Sequence, residues 1–183
     1  MITRICLIIP PSLFLLDERV FMSLGILKVA AALEQAGVTV ELLDLSGVTN
    51  YEEVLAVHLQ HSAAQCFGLT ATTPQMPAAT RIQATIRRLR PTARLILGGP
   101  HVTLVHAAAK QERKRNVLGR GARASRQLMS MFDVLVTGDG EMAVFAALQD
   151  TPPHVIDGDD PGSPLFLTNK TLEELPFPAR HLV

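Results

Sequence analysis

The stretch RLILGGPHVT at residues 94–103 joins a short apolar run to two glycines and a proline. An apolar run of this length is typical of a buried strand, and a proline at this point suits the first turn of a helix. The glycines allow the backbone to turn tightly and to approach a ligand where any Cβ would intrude. The stretch therefore predicts a strand, a turn and the start of a helix.

Four more short apolar runs repeat this arrangement along the chain. They lie at residues 4–9 (RICLII), 38–43 (VTVELL), 65–70 (QCFGLT) and 133–136 (DVLV). Most of them are continuously apolar, as in parallel strands covered on both faces, and helical periodicity separates them. We therefore predict an α/β fold with a doubly wound, five-stranded parallel sheet, flavodoxin-like in its strand order 2-1-3-4-5.

The composition changes after residue 148. Residues 151–168 are rich in proline, glycine and aspartate and contain two short apolar runs, which predict a small hairpin. Residues 171–183 hold two prolines and no terminating element, which is typical of a linker. We therefore divide the chain into an α/β domain at 1–150 and a hairpin with a linker at 151–183.

Length, charge and cysteine content restrict the class of protein. The 183 residues are 48% hydrophobic, which is sufficient for the core of one domain. Seventeen basic residues balance seventeen acidic ones, so no net field attracts nucleic acid or a membrane surface. The apolar run before Pro10 is too short to cross a membrane, and the two cysteines fit buried, reduced thiols. We expect a cytoplasmic protein without a membrane segment or a nucleic-acid-binding module.

Small and hydroxyl-bearing residues follow four of the predicted strands. In a doubly wound sheet, ligands bind beyond the carboxyl ends of the strands. A single loop of this kind can be an ordinary turn, but four on one rim favour a ligand site. No G-x-G-x-x-G or P-loop motif is present to bind phosphate. The candidate binding residues in these loops are Pro10, Pro11, Ser12, Thr70, Ala71, Thr72, Thr73, Pro74, Gln75, Gly98, Gly99, Pro100, His101, Val102, Gly138, Asp139, Gly140 and Glu141.

Four motifs occur in order over nearly the whole chain: GLTATTPQ (68–75), LGGPHVT (97–103), DVLVTGDGE (133–141) and LPFPARHL (175–182). In these motifs the chain resembles the cobalamin-binding domain that precedes the radical S-adenosylmethionine barrel in one large enzyme class. The resemblance implies that the parent protein is a methyltransferase. It also implies a following barrel, absent from this sequence, that binds S-adenosylmethionine and a 4Fe-4S cluster and is the partner of this domain. The domain alone would have no turnover and supplies no catalytic residue.

The wider cobalamin-binding fold often carries D-x-H-x-x-G after its first strand, and the histidine of that motif ligates cobalt. This chain has DERVF at 17–21 and no histidine between its first strand and its second helix. The resemblance therefore implies a base-off cobalamin without a histidine ligand, whose dimethylbenzimidazole tail lies between the sheet and the helices. The residues that it places beside the corrin or the tail are Pro10, Pro11, Leu24, Gly25, Thr70, Thr72, Gly98 and Gly99.

Two candidate residues have competing interpretations. His101 could ligate cobalt, but its position at a helix start favours a bond that stabilises the loop or holds a corrin side chain. Glu141 could act as a base, but a glutamate in the first turn of a helix is favourable there in any case. We favour the second interpretation for each.

Other features leave the function open. Residues 110–126 contain seven basic residues and one acid, which fits a solvated, mobile surface or a contact with an acidic partner, the barrel or an anionic substrate. His58 and His61 fit a solvated helix flank, and the other histidines have no cysteine or carboxylate at ligand spacing, so we expect no metal site. The fold alone also permits a non-catalytic regulatory module or a module that binds flavin or nucleotide.

Overall fold

The computed structural model describes residues 1–12, 14 and 22–183. Within them, parallel strands form one sheet of order β2-β1-β3-β4-β5-β6. The α/β class, the flavodoxin-like winding and the order of the first five strands are confirmed. Each predicted strand begins and ends within one residue of the observed one. The strands are β1 (Arg4–Ile9), β2 (Thr39–Asp44), β3 (Cys66–Thr70), β4 (Arg94–Gly98), β5 (Val134–Thr137) and β6 (Val155–Asp157).

Helices cover both faces of the sheet. They are α1 (Leu24–Gln35), α2 (Tyr51–His61), α3 (Met76–Leu89), α4 (Pro100–Lys114), α5 (Arg120–Met131), α6 (Gly140–Ala147) and α7 (Asn169–Glu174). Side chains of α2, α3, α4 and α5 pack on one face, and those of α1 and α6 on the other. Alternate residues of β1 serve the two cores, because successive side chains of a strand point to opposite faces. None of the described helices is long and apolar enough to span a membrane.

The predicted hairpin after residue 150 is wrong. The sheet has six strands instead of the five predicted. Residues 155–157 pair in parallel with β5, so that Val136 lies beside Ile156. The second apolar run forms no strand, and Leu165 packs against the core that contains α1 and α6. Ile156 is almost fully buried, so burial of this apolar residue beside β5 favours continuation of the sheet over a local hairpin.

The end of the chain, which we interpreted as a linker, packs against α1. The amide of Ala179 donates to the carbonyl of Leu27 over 3.0 Å, and Ala179 is buried. The Nε2 atom of His181 lies 3.1 Å from a carboxylate oxygen of Glu34. Residues 179–182 are thus held on the same domain as the sheet.

The basic stretch lies on a pair of helices. The turn from α4 to α5 passes through Asn116, whose φ of 55° is in the left-handed region. The carboxylate of Glu112 accepts backbone N–H bonds from Gly119, Gly121 and Ala122 and so caps the start of α5. Most of the basic side chains face solvent, as expected, but the segment that carries them is helical.

Candidate functional site

A cavity of about 660 Å³ begins at the carboxyl ends of the strands and continues along the α1–α6 face of the sheet. Its floor is apolar and includes Leu7, Gly68 and Ile96 from three adjacent strands. Its walls include Val29 of α1 and Val144 of α6. The cavity lies at the switch between β1 and β3, where doubly wound sheets bind ligands.

Gln75 joins the loops that follow β1 and β3. Its amide nitrogen donates to the carbonyl of Pro10 over 2.8 Å, and its amide oxygen accepts from the backbone N–H of Thr72 over 2.9 Å. The Thr72 hydroxyl also donates to that oxygen. Thr72 and Gln75 line the cavity, so this network holds two polar side chains at its rim.

Thr103 joins the loops that follow β4 and β5. Its hydroxyl donates to the carbonyl of Gly99 over 3.2 Å and accepts from the amide of Gly138 over 3.0 Å. All three residues line the cavity. A hydroxyl on the first turn of α4 therefore positions both glycine loops of the rim.

The glycines after β4 serve different purposes. Gly99 has a φ of 93°, and a Cβ there would lie 2.6 Å from the hydroxyl of Thr70 and 2.9 Å from the amide of Ala71. A Cβ at Gly98 would meet no atom closer than 3.7 Å, and one at Gly25 of α1 would meet none within 4 Å. Gly99 is thus required by the backbone, whereas Gly98 and Gly25 line the cavity at positions where a Cβ would meet no close contact.

Glu141 is the only acidic residue of the cavity that is buried, among those described. It is 8% exposed, and its burial raises the pKa of its carboxyl. The neighbouring charge of Asp139 acts in the same direction. Glu141 lies in the first turn of α6, as the helix-start interpretation requires.

Asp157, at the end of β6, anchors the loop that closes the cavity beside Asp159. Its carboxylate accepts bonds from Lys110 over 2.7 Å, from Thr137 over 3.1 Å and from the amide of Asp159 over 3.1 Å. Burial raises the pKa of Asp157, but these bonds outweigh it and lower the pKa to about 2. The network fastens α4 to the edge strand.

Of the twenty predicted binding residues, eleven line the cavity and nine lie outside its lining. Those that line the cavity are Gly25, Thr70, Thr72, Gln75, Gly98, Gly99, Pro100, Gly138, Asp139, Gly140 and Glu141. Those outside its lining are Pro10, Pro11, Ser12, Leu24, Ala71, Thr73, Pro74, His101 and Val102. Ala71 and Val102 belong to the core on the opposite face. The DERVF stretch at 17–21 lies outside the described residues.

His101 stabilises the rim loop. Its Nδ1 atom lies 3.0 Å from the hydroxyl of Thr73, and its backbone N–H donates to the carbonyl of Ala71. Partial burial lowers the pKa of His101 and favours the neutral ring. These bonds agree with the loop-stabilising interpretation.

Sequence reasoning missed the floor and several positioning residues. Leu7 and Ile96 carry no local signal, because their roles depend on contacts across the sheet. Thr103 lies in the small and hydroxyl-bearing stretch after β4, but the sequence did not predict that its hydroxyl bridges two loops. Gly68 carried a local signal: an isolated glycine inside a strand indicates close approach of another group. A Cβ there would lie 3.0 Å from Leu7, so glycine keeps this part of the floor low.

The comparisons with known proteins agree with this geometry. The family model described as B12 binding domain matches residues 18–129, which is more than half of the chain. The chain therefore belongs to the B12 binding domain family, and the resemblance found in the sequence is confirmed.

Two solved structures of TsrM, a radical S-adenosylmethionine methyltransferase from Kitasatospora setae, share the fold. One, with tryptophan substrate and a SAM analog bound, is 17% identical over 80% of this chain and 25% of that chain, with a TM-score of 0.57. The other, with cobalamin and a [4Fe-4S] cluster bound, is 18% identical over 81% and 26%, with a TM-score of 0.58. This chain thus spans about a quarter of that relative's length. No curated protein gave a significant sequence match.

The residues present fit part of a cobalamin molecule. The cavity has the volume of a site for a small organic group, with an apolar floor and a rim of hydroxyls, amides and exposed backbone. The missing side chains at Gly25 and Gly98 leave space that any larger residue would occupy. These features suit a flat aromatic tail inside the cavity and a larger polar group above its rim.

Proposed function

We propose that this domain binds cobalamin in the base-off form, with the dimethylbenzimidazole tail in the cavity and no histidine as lower ligand. The single observation that carries the proposal is the cavity itself, which has an apolar floor beneath a small-residue rim. All six histidines of the chain are among the described residues, and none lines the cavity. A lower ligand from this domain would therefore require a rearrangement of the rim.

The two histidines on α4 are engaged elsewhere. His101 contacts Thr73, and the Nε2 atom of His106 lies 3.2 Å from the carboxylate of Asp157. Moving either ring toward a bound corrin would break these contacts. Both arrangements favour a cobalt without a protein nitrogen on its lower face.

The chain's own residues would bind and orient the cofactor. Thr70 and Thr72 offer hydroxyls at the end of β3, while Thr103 holds the backbone of Gly99 and Gly138 in place. The apolar floor excludes water from the tail. Bound methylcobalamin would supply a transferable methyl group, and the domain supplies binding and position.

We further propose that the domain serves a radical S-adenosylmethionine methyltransferase, in which a following barrel covers the rim and binds S-adenosylmethionine and the 4Fe-4S cluster. The support is the sequence resemblance and the shared fold with TsrM. Leu104 also stands at the rim with an exposed apolar side chain, which a covering domain would bury. On this proposal the domain alone has no turnover.

The proposed state of the cofactor can be tested by electron paramagnetic resonance. We expect the domain to retain cobalamin after desalting, and its cob(II)alamin spectrum to lack nitrogen superhyperfine splitting from a lower ligand. Splitting that persists would contradict the proposal. His101→Ala and His106→Ala distinguish its source, because only a coordinating histidine would remove the splitting when replaced.

Failure to retain cobalamin at all would contradict binding by this domain alone. Retention of a flavin or nucleotide under the same conditions would then favour the alternative flavodoxin-like module. The absorbance spectrum of the desalted protein separates these outcomes, because each ligand absorbs at its own wavelengths.

A further inference from the structure

Cys6, Glu41 and His58 form a cluster on the face of the sheet opposite the cavity. The Nε2 atom of His58 lies 3.4 Å from Sγ of Cys6 and 3.3 Å from Oε2 of Glu41. All three potential ligand atoms lie within 4.8 Å of one another. The sequence interpretation of His58 as a solvated side chain is therefore wrong.

The sheet topology creates this cluster. Cys6 and Glu41 are register partners on the parallel strands β1 and β2, so their side chains project from the same face. Helix α2 covers that face and supplies His58. Three rigid elements thus hold the three groups together, although 35 and 52 residues separate Cys6 from its two partners (41 − 6 and 58 − 6).

We propose that Cys6, Glu41 and His58 bind a zinc ion. Zinc bonds of about 2.0–2.3 Å at tetrahedral angles hold their ligand atoms roughly 3.3–3.8 Å apart, and two of the observed separations fall in this range. Thiolate, imidazole and carboxylate are the ligand types that zinc takes in proteins. Three protein ligands leave a fourth position for water.

The charges of the ligand groups suit a bound dication, although Arg4 already lies 3.5 Å from Oε1 of Glu41. The thiolate and the carboxylate together would neutralise its charge, with the imidazole neutral. Burial raises the pKa of the Cys6 thiol, so this group stays protonated until a metal displaces the proton. The hydroxyl of Ser62 donates to Glu41 and orients the carboxylate, as outer groups commonly do around metal ligands. Glu41 and His58 are each partly exposed, which gives an ion access.

The cluster is separate from the proposed cofactor site. Cys6 packs in the core beneath α2 and α3, whereas the cavity lies on the α1–α6 face. Zinc binding can therefore be measured in protein free of cobalamin. Failure of the zinc proposal would leave the cobalamin proposal intact, and the converse also holds.

The test uses the full chain, prepared without cobalamin and treated with a chelator. Zinc titration against a chromophoric chelator gives the affinity, and Co²⁺ serves as a spectroscopic probe that zinc should displace. We expect one equivalent to bind, with a thiolate-to-cobalt absorption band in the near ultraviolet. Cys6→Ser should remove this band. Zinc binding should weaken by at least about 100-fold in each of Cys6→Ser, Glu41→Gln and His58→Gln, because the loss of even an outer-shell group can weaken metal binding by that factor.

Matched variants control for the other thiol and the neighbouring imidazole. Cys66→Ser changes the second buried cysteine, and His61→Gln changes a histidine on the same helix. Both should bind zinc as the unmodified chain does. If Cys6→Ser does not fold, the partly exposed His58 provides the decisive variant. Zinc affinity that is the same in His58→Gln and His61→Gln would overturn the proposal.

Discussion

At the residue scale, Gly98 offers the most direct test of the cavity as a ligand site. A Cβ at Gly98 would meet no atom closer than 3.7 Å, whereas a Cβ at Gly99 would collide with the backbone of Ala71 at 2.9 Å. A variant of Gly99 therefore combines loss of ligand with strain at a positive φ, and it cannot separate the two effects. Gly98 has neither problem.

We predict that Gly98→Leu folds but loses cobalamin affinity by at least about tenfold, equivalent to about 1.4 kcal/mol, because the new side chain fills space that the ligand needs. Equilibrium dialysis measures the affinity, and circular dichroism measures the fold. Gly162→Leu is the matched control, since Gly162 is exposed and lies outside the cavity. Normal binding by a folded Gly98→Leu protein would show that the cavity does not hold the cofactor.

At the element scale, Glu112 determines whether the basic stretch is ordered. One carboxylate accepts three backbone N–H bonds at the start of α5, and these bonds, with that of Ala122 the strongest, lower the pKa of Glu112. Helices α4 and α5 also approach each other closely at Gly121. Only glycine permits this approach, because a Cβ there would lie 2.8 Å from the amide nitrogen of Ala109. Cap and contact together hold α5 against α4.

We predict that Glu112→Gln loosens α5 and makes trypsin cleave within residues 110–126 several-fold faster than in the unmodified chain. The lowered pKa adds a pH dependence: the stabilisation is present above the ordinary value of 4.5 and is lost as the pH falls through the lower folded value. Amide hydrogen exchange across α5 at two pH values measures this change.

Gln111→Ala is the control for this experiment, because Gln111 is an exposed neighbour on the same helix. It should leave both cleavage and exchange unchanged. Equal rates of cleavage in Glu112→Gln and the unmodified chain would mean that the carboxylate does not hold the helix.

At the scale of the whole molecule, parts of the last 33 residues pack onto the α/β domain (183 − 150 = 33). Strand β6 covers the edge of β5, and Ala179 bonds to α1. An exposed strand edge is a template for pairing with another chain. The edge strand and the tail thus cover surfaces of β5 and α1 that would otherwise be exposed.

We predict that a chain ending at residue 150 is less stable than the full chain by at least about 2 kcal/mol, the usual contribution of burying a side chain such as Ile156. It should also self-associate through the exposed edge of β5. Urea denaturation measures the first effect and sedimentation measures the second. A chain ending at residue 168 keeps β6 and separates its contribution from that of the tail. Full stability at residue 150 would support the division that the composition indicated.

The sequence by itself determined the features that arise from local patterns. Continuous apolar runs such as 94–97 identified five strands, because a parallel strand that is covered by helices on both faces has a continuously apolar sequence. The order of those strands was predicted from the five successive strand–helix units, which are typical of a flavodoxin-like sheet. The small residues after the strands located the rim of the cavity, because the carboxyl ends of parallel strands meet at one edge.

The tertiary structure alone decided what depends on contacts between distant residues. Residues 155–157 are too few for their sequence to specify a strand or its pairing. They form a strand because they pair with the edge of β5. In the sequence, Glu112 is a single acid among basic residues. Its role as a cap arises only because the turn after α4 brings the start of α5 to its carboxylate. His58 resembles any surface histidine until two paired strands place Cys6 and Glu41 beside it. Such contacts depend on register and packing across the whole sheet, which no local pattern encodes.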